Sequence, residues 1–211
     1  TVRADEQTTG RGRRGRTWTT YPGAFLGSWL IHSGAGWPHS TRDQLCVGEA
    51  LVRFLRTLSG RSANDVCLKW PNDLYVRTSD GILKKAGGIL FEAVSQGDAH
   101  HVLLGLGLNV QSVDGEHASL QDTDFTADLD ELHGMLHALV ASLFEEVAQL
   151  PKVASFGDVE GEVLNGISML GPLFCRNEEV VFTHVEPSGA LVFEGLDESV
   201  DDPDELMWSG V

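Results

Sequence analysis

The fold of this chain is decided by two apolar runs, GGILFEAV at residues 87–94 and HVLLGL at residues 101–106. Each run has the length and composition of a strand, and Gln96-Gly97-Asp98 between them is typical of a turn. N-terminal to this pair, further strands are predicted at residues 2–4, 24–32, 66–68 and 74–76. Together the runs predict one β-sheet.

Two helices and a small β module complete the predicted organisation. Apolar positions spaced three and four apart predict a helix over about 42–58, and the clearest amphipathic pattern lies at 127–150. Thr126 can cap the second helix, and Pro151 ends it. Beyond about residue 170, apolar and polar residues alternate, which is typical of antiparallel strands. We therefore expect an α+β fold, with a mixed β-sheet, helices on one side of it, and a small C-terminal barrel-like unit.

The charge of the chain is distributed unevenly. The 211 residues carry a net charge of −16, which argues against a duplex-DNA binder because phosphate binding needs a basic face. Residues 1–85 hold 13 basic and 7 acidic residues, whereas residues 86–211 hold 2 and 24. The N-terminal part is therefore where an anionic ligand is expected to bind.

Cysteine usage and hydropathy exclude several classes of protein. The three cysteines are widely spaced and form no CxxC pair, which argues against a zinc ribbon or redox dithiol and favours buried, reduced thiols in an intracellular protein. No apolar run approaches the roughly 20 residues that span a bilayer, and no signal-peptide pattern is visible. We expect an intracellular, most simply cytoplasmic, protein without a membrane partner.

An arginine-rich loop, GRGRRGR at residues 10–16, carries the most concentrated charge. It formally fits the dinucleotide fingerprint GxGxxG, but the following segment contains Pro22 and leads to a strand instead of a helix. A Walker motif is also excluded, since no Lys-Ser/Thr follows the glycines. Guanidinium groups on a flexible backbone can grip carboxylates and phosphates. A solvated basic loop and an RNA-binding arginine–glycine tail remain the alternatives.

Three further segments carry candidate chemistry. Lys69-Trp70-Pro71-Asn72-Asp73 forms a turn whose last two residues can hydrogen-bond or help to hold a Mg²⁺–phosphate group. Lys84 and Lys85 precede an apolar strand and are either an exposed pair or partners of an anion. Gly105 and Gly107 alternate on one strand face, with Asn109 at its end.

His133 and His137 lie four residues apart on a predicted helix and lack an obvious acidic or cysteine partner. This pattern favours a surface pair over a metal site.

In this order, the four segments resemble the biotin protein ligases. The matching runs are residues 7–18, 69–73, 85–90 and 105–109. The resemblance implies a biotin ligase catalytic domain over residues 1–155, and a linker with an SH3-like β domain over residues 156–211. The family's N-terminal biotin-pocket segment and DNA-binding winged helix are not seen before residue 1, so we expect an N-terminally incomplete catalytic region without a repressor role. The Arg-Arg-x-x-Gly-Gly-Gly motif of the lipoate ligases is missing.

The resemblance also implies an activity, namely formation of biotinyl-AMP from biotin and Mg-ATP and transfer of biotin to a lysine of a carboxylase domain. It implies catalytic roles for Lys85, Arg11 and Arg13, and Mg²⁺ handling by Asp73. The implied biotin-binding residues are Gln7, Arg11, Gly12, Arg13, Lys85, Gly88, Gly105 and Gly107. The implied nucleotide-binding residues are Trp18, Asn72, Asp73 and Asn109.

The same resemblance sets the expected partners and motions. We expect biotin, ATP and a biotin-accepting carboxylase domain as partners, no nucleic acid, and a homodimer as one possible assembly. The loop at residues 8–17 is predicted to be mobile without ligand and to order around the adenylate. The alternative hypothesis is a module of the same fold that binds biotin or the adenylate without turnover.

Overall fold

The structure is a computed structural model, and it describes residues 1–34, 41–62, 64–97, 99–111, 113, 115–123, 125–126, 128–149 and 158–211. Its centre is a six-stranded sheet with the spatial order β1-β2-β6-β5-β4-β3, in which each of the five described pairings is antiparallel. This confirms the α+β class and refines the expected mixed sheet. The strands are β1 (Val2–Ala4), β2 (Phe25–Gly34), β3 (Val66–Lys69), β4 (Asp73–Arg77), β5 (Leu83–Gln96) and β6 (Ala99–Leu108).

One face of the sheet is covered by helices, as expected. Helix α1 (Thr41–Ser59) packs on β3, β4 and β5, and α2 (Leu129–Gln149) packs on β2. The predicted helices at 42–58 and 127–150 are thereby confirmed, although Leu150 and Pro151 lie outside the described residues. Large side chains of alternate strand positions form the core on this face, because a period of two places them on one side. They include Phe25, Trp29, Ile89, Leu104, Leu106 and Leu108.

A third helix, α3 (Val159–Leu170), was not predicted from the sequence. Asp158 caps it by accepting a hydrogen bond from the Gly161 amide at 2.8 Å. It packs on α1 and β3. A bidentate ion pair joins Glu162 to Arg56 of α1, with both N···O distances at 2.9 Å and both side chains largely buried. The helix therefore fastens the C-terminal part of the chain to the main sheet.

The C-terminal residues form two small antiparallel sheets. Strands β7 (Leu173–Cys175), β8 (Glu178–Val180) and β11 (Leu206–Trp208) form one, and β9 (Phe182–Val185) and β10 (Leu191–Phe193) form the other. This confirms a small β module, but the described pairings do not close it into the expected barrel. The indole nitrogen of Trp70 donates to the Gly189 carbonyl at 3.1 Å and connects the module to the main sheet. The expected boundary at residues 155–156 lies outside the described residues.

The remaining general expectations concern thiols and membranes. Cys46, Cys67 and Cys175 are all buried and unpaired, as predicted. Burial raises the pKa of the Cys46 thiol to about 11 and that of Cys67 to about 12. No helix in the described part of the chain is long and apolar enough to cross a bilayer.

Candidate active site

Within the described ranges, no helix lies on the second face of the central sheet, and glycines occupy positions of its middle strands on this face. Leu26, Gly107, Gly88 and Asp73 stand opposite one another across four strands. The arginine loop folds over this row and encloses a cavity of about 380 Å³. All but one of the residues that the sequence analysis assigned to the site line it: Gln7, Arg11, Gly12, Arg13, Trp18, Asn72, Asp73, Lys85, Gly88, Gly105 and Gly107.

A β-bulge determines the direction of Lys85. Leu74 pairs with Gly87 but Tyr75 pairs with Lys85, so Ala86 is an extra residue in β5. Without it, Lys85 would share the helix-covered face with Gly87, because strand residues alternate. With it, the Lys85 ammonium enters the cavity and lies 2.6 Å from Asp73 Oδ1. The bulge thus brings a cation and a carboxylate together on the open face.

The turn after β3 fixes the position of Asp73. The Asn72 side-chain amide donates to the Ile89 carbonyl at 2.8 Å, and the Ile89 amide donates to the Asn72 carbonyl at 3.0 Å. Gln44 of α1 donates to the same Ile89 carbonyl at 3.0 Å from the covered side. Asn72 lines the cavity, yet its amino group serves to anchor the turn to β5. Its predicted contact with a nucleotide stays a prediction.

The arginine loop has a defined backbone. The Trp18 amide donates to the Gly10 carbonyl at 2.9 Å, and the Gly12 amide donates to the Arg16 carbonyl at 2.7 Å. These bonds close a small antiparallel ladder around a tight turn at residues 13–15. Gly10 is required there because a side chain would lie 2.5 Å from the Trp18 carbonyl oxygen. The loop is thereby shaped to cover the cavity.

Trp18 lies on the glycine floor of the cavity. A methyl group on Gly107 would lie 2.8 Å from the indole ring, and one on Gly88 would lie 3.3 Å from it. The Lys85 ammonium is 5.6 Å from the ring centroid, within cation–π range. The floor glycines therefore make room for Trp18 as well as for the ligand expected from the sequence.

Two donors in the cavity are buried and have no hydrogen-bond partner among the described residues, Arg13 Nη1 and Trp18 Nε1. Burial, with a contribution from neighbouring Arg14, lowers the pKa of Arg13. Burial also lowers the pKa of Lys69. The ammonium of Lys69 lies 5.5 Å from the Tyr75 ring centroid, and the sequence analysis gave this residue no role. Unpaired buried donors are costly, and an anionic ligand would satisfy them. The cavity is thus suited chemically to an acceptor-rich anion.

Asn109 and the histidine pair do not line this cavity. The buried Asn109 amide nitrogen Nδ2 donates to the Ala118 carbonyl at 3.1 Å and holds the loop after β6. His137 accepts a hydrogen bond from the Trp29 indole at 3.2 Å, and His133 packs against Phe25. No group of three potential metal ligands occurs among the residues that the structure describes. The nucleotide role of Asn109 stays a prediction.

Sequence reasoning missed Leu26, Ser28 and Leu90, which also line the cavity. A usable signal was present, since these positions alternate with Phe25, Ile89 and other core residues of the same strands. Arg16 lines the cavity too, although the sequence analysis gave it no role.

The fold and site define an α+β domain with a cationic pocket on the open face of an antiparallel sheet. The model of the biotin/lipoate A/B protein ligase family matches residues 1–109, and the chain belongs to this family. The match covers β1 to β6 and every residue named above as lining the cavity.

Two curated relatives extend beyond the matched region. The chain is 30% identical over 207 residues to the bifunctional ligase/repressor BirA of Escherichia coli, covering 90% of this chain and 60% of that protein. It is 28% identical over 210 residues to the biotin–[acetyl-CoA-carboxylase] ligase of Paracoccus denitrificans, covering 92% and 83%. The chain therefore spans about three fifths of the E. coli relative's length.

Solved structures agree on the fold. The biotin protein ligase of Aquifex aeolicus in complex with biotin and ATP superposes with a TM-score of 0.69 at 21% identity, covering 97% of this chain and 86% of that one. A mutant of the same A. aeolicus protein in complex with biotin gives a TM-score of 0.70 at 22% identity, with the same coverage of 97% and 86%. At this identity the likeness bears on the fold alone.

Proposed function

We propose that this chain is an ATP-dependent ligase that activates biotin as biotinyl-AMP and transfers it to a lysine of a biotin-accepting carboxylase domain. The observation that carries the proposal is the bulge at Ala86, which turns Lys85 onto the open face beside Asp73 and under the arginine loop. Family membership and the relatives' names support the choice of biotin and ATP as substrates.

The first step needs cations more than it needs a nucleophile on the protein. A biotin carboxylate oxygen attacks the α-phosphorus of ATP, the new acyl–phosphate bond forms, and pyrophosphate leaves. Both reactants are anions, so positive groups must offset their repulsion and the charge that develops at phosphorus. Lys85, Arg11 and Arg13 line the same cavity and are proposed to serve this purpose. Mg²⁺ would arrive with ATP as part of the substrate.

Asp73 is proposed to help at the phosphate end. Its Oδ1 lies 2.6 Å from the Lys85 ammonium, which orients the lysine, and a carboxylate supplies oxygen ligands of the type that Mg²⁺ prefers. Trp18 is proposed to stack with the adenine once the ligand enters, because its ring already lies on the glycine floor. The remaining proposed biotin contacts in the cavity lining are Gln7, Gly12, Gly88, Gly105 and Gly107.

In the second step, the ε-amine of the acceptor lysine attacks the acyl carbon, the amide bond forms, and AMP leaves with the bonding electrons. Until then the mixed anhydride must be kept from water, and the loop that folds over the cavity is proposed to exclude it. A homodimer stays a prediction.

Biotin-dependent exchange of pyrophosphate into ATP tests the first step. We expect exchange in the wild type and a strong loss in Arg13→Ala. Biotin binding without exchange would replace the proposal by a non-catalytic binding module of the same fold. RNA affinity that falls steeply with salt, without biotin binding, would favour the arginine–glycine nucleic-acid binder.

A further inference from the structure

The arginine loop is held from outside the central sheet. Arg14, at the tip of the loop, donates to the carboxylates of Asp202 and Asp204 in the C-terminal module. Arg16 donates to Asp204 as well. These ion pairs join residues 188 to 190 positions apart in the chain. We call Arg14, Arg16, Asp202 and Asp204 the loop clamp.

The acidic side of the clamp is preorganised. The Asp202 carboxylate accepts a hydrogen bond from the Asp204 amide at 2.8 Å and caps a one-turn helix at residues 203–205 that begins with Pro203. The hydrogen bond from Arg14 holds the pKa of Asp202 below its usual range, so this carboxylate is charged at neutral pH. The two carboxylates thus face the loop from a turn with its own internal support.

The arginines on the basic side of the clamp contact two different parts of the molecule. Arg14 has φ 55° and ψ 33°, the left-handed region that is uncommon outside glycine. Surrounding contacts must hold such a conformation in place. Arg13 lines the cavity, while its neighbour Arg14 reaches the C-terminal module. Successive arginines therefore serve the site and its attachment.

We infer that Asp202 and Asp204 are positioning residues that hold the arginine loop closed over the cavity. The C-terminal module would then determine how long a ligand stays in the pocket, although neither of the clamp carboxylates lines it. Loop closure follows from the ion pairs alone, whereas the effect on ligand residence rests on the proposed function.

The size of the effect follows from solvent exposure. The Arg14, Arg16, Asp202 and Asp204 side chains are between 31% and 67% exposed, and individual ion pairs of this kind are weak. For the network we expect roughly a three- to tenfold change in loop opening. Because salt screens exposed charges, the change should shrink between low and high ionic strength.

Hydrogen exchange of the ligand-free protein tests loop closure directly. The double variant Asp202→Asn, Asp204→Asn removes both charges but keeps side chains that can cap the turn. We expect the Gly12 and Trp18 amides, whose bonds close the loop, to exchange three- to tenfold faster. The matched control, Asp197→Asn with Asp201→Asn, removes two charges of the same module and should leave them unchanged.

A double-mutant cycle distinguishes the clamp from a general destabilisation of the loop, because only the clamp predicts that the two substitutions are coupled. Arg14→Asp suits the left-handed backbone but places a third carboxylate beside the other two, so it should open the loop. Combining it with the asparagine pair removes that repulsion, and the combined variant should open the loop less than the two effects predict together. Additive effects would contradict the clamp.

The effect of the clamp on ligand residence is tested with biotin. In the asparagine pair we expect a three- to tenfold faster biotin dissociation and a raised KM for biotin, with kcat of pyrophosphate exchange changed less than twofold. Unchanged amide exchange at low salt would overturn the clamp even in an active enzyme. If wild-type protein neither bound biotin nor catalysed exchange, the proposed function would fail, while the amide measurement would still decide the clamp.

Discussion

The two faces of the central sheet are built from the same strands but carry contrasting side chains. On the face against α1 and α2, alternate positions hold large apolar side chains such as Phe25 and Leu104, which are almost fully buried. On the other face the corresponding positions include Gly88, Gly105 and Gly107, and a loop covers them instead of a helix. The comparison shows that one strand can stabilise the fold with its odd or even residues and form the pocket with the others.

The largest effect is expected from Lys85 on the open face. Lys85→Ala should lower biotin-dependent pyrophosphate exchange by about 10²- to 10³-fold, because a preorganised cation at the developing charge is lost. The unfolding free energy should change little. Lys84→Ala is the matched control, since the Lys84 ammonium donates to the Gly115 carbonyl at 2.8 Å outside the cavity. Equal loss in both variants would refute the special position of Lys85.

On the covered face, Leu104→Ala should lower the free energy of unfolding by about 2–5 kcal/mol, because it leaves a cavity in the core. Leu30→Ala removes the same side chain where it is 56% exposed and should cost less than about 0.5 kcal/mol. Urea denaturation measures both. Similar costs would mean that the two faces are not distinguished by burial.

A smaller effect is expected when a methyl group is added to the floor. Gly107→Ala would bring a carbon to 2.8 Å from the Trp18 ring and should weaken biotin binding by about tenfold, which calorimetry measures. Gly134→Ala makes the same change in α2, where no atom of the described residues lies within 4 Å of the added methyl group, and should stabilise the fold by about 0.5–1 kcal/mol. Unaltered biotin binding in Gly107→Ala would contradict the packing of Trp18 on the floor.

The smallest effect is expected for the modification of the buried thiols by a thiol reagent in the folded protein. Because burial raises the pKa of Cys67 to about 12 and that of Cys46 to about 11, both stay protonated up to about pH 8. A thiol reagent at that pH should therefore modify them only after denaturation. Rapid modification of either cysteine in the folded protein would show that the covered face opens readily.

Sequence predicted the six strands of the central sheet and two helices because their apolar periodicity is local information. It also predicted eleven of the cavity residues, because the four motifs resemble those of the biotin protein ligases in their order and spacing. Helix α3 was missed because its apolar residues adjoin the segment read as a linker. The direction of Lys85 could not be derived, because the bulge at Ala86 depends on the pairing of β5 with β4. The contacts of Arg14 with Asp202 likewise arise only from the tertiary fold.

The bulge at Ala86 has a consequence for protein engineering. The side on which Lys85 appears is determined by the extra residue at Ala86 in the pairing of β5 with β4. Transplanting the lysine and the glycines onto a regular sheet would place the ammonium among the apolar residues of the opposite layer. A transferable version of this site must therefore carry the irregular pairing with its partner strand as part of the motif.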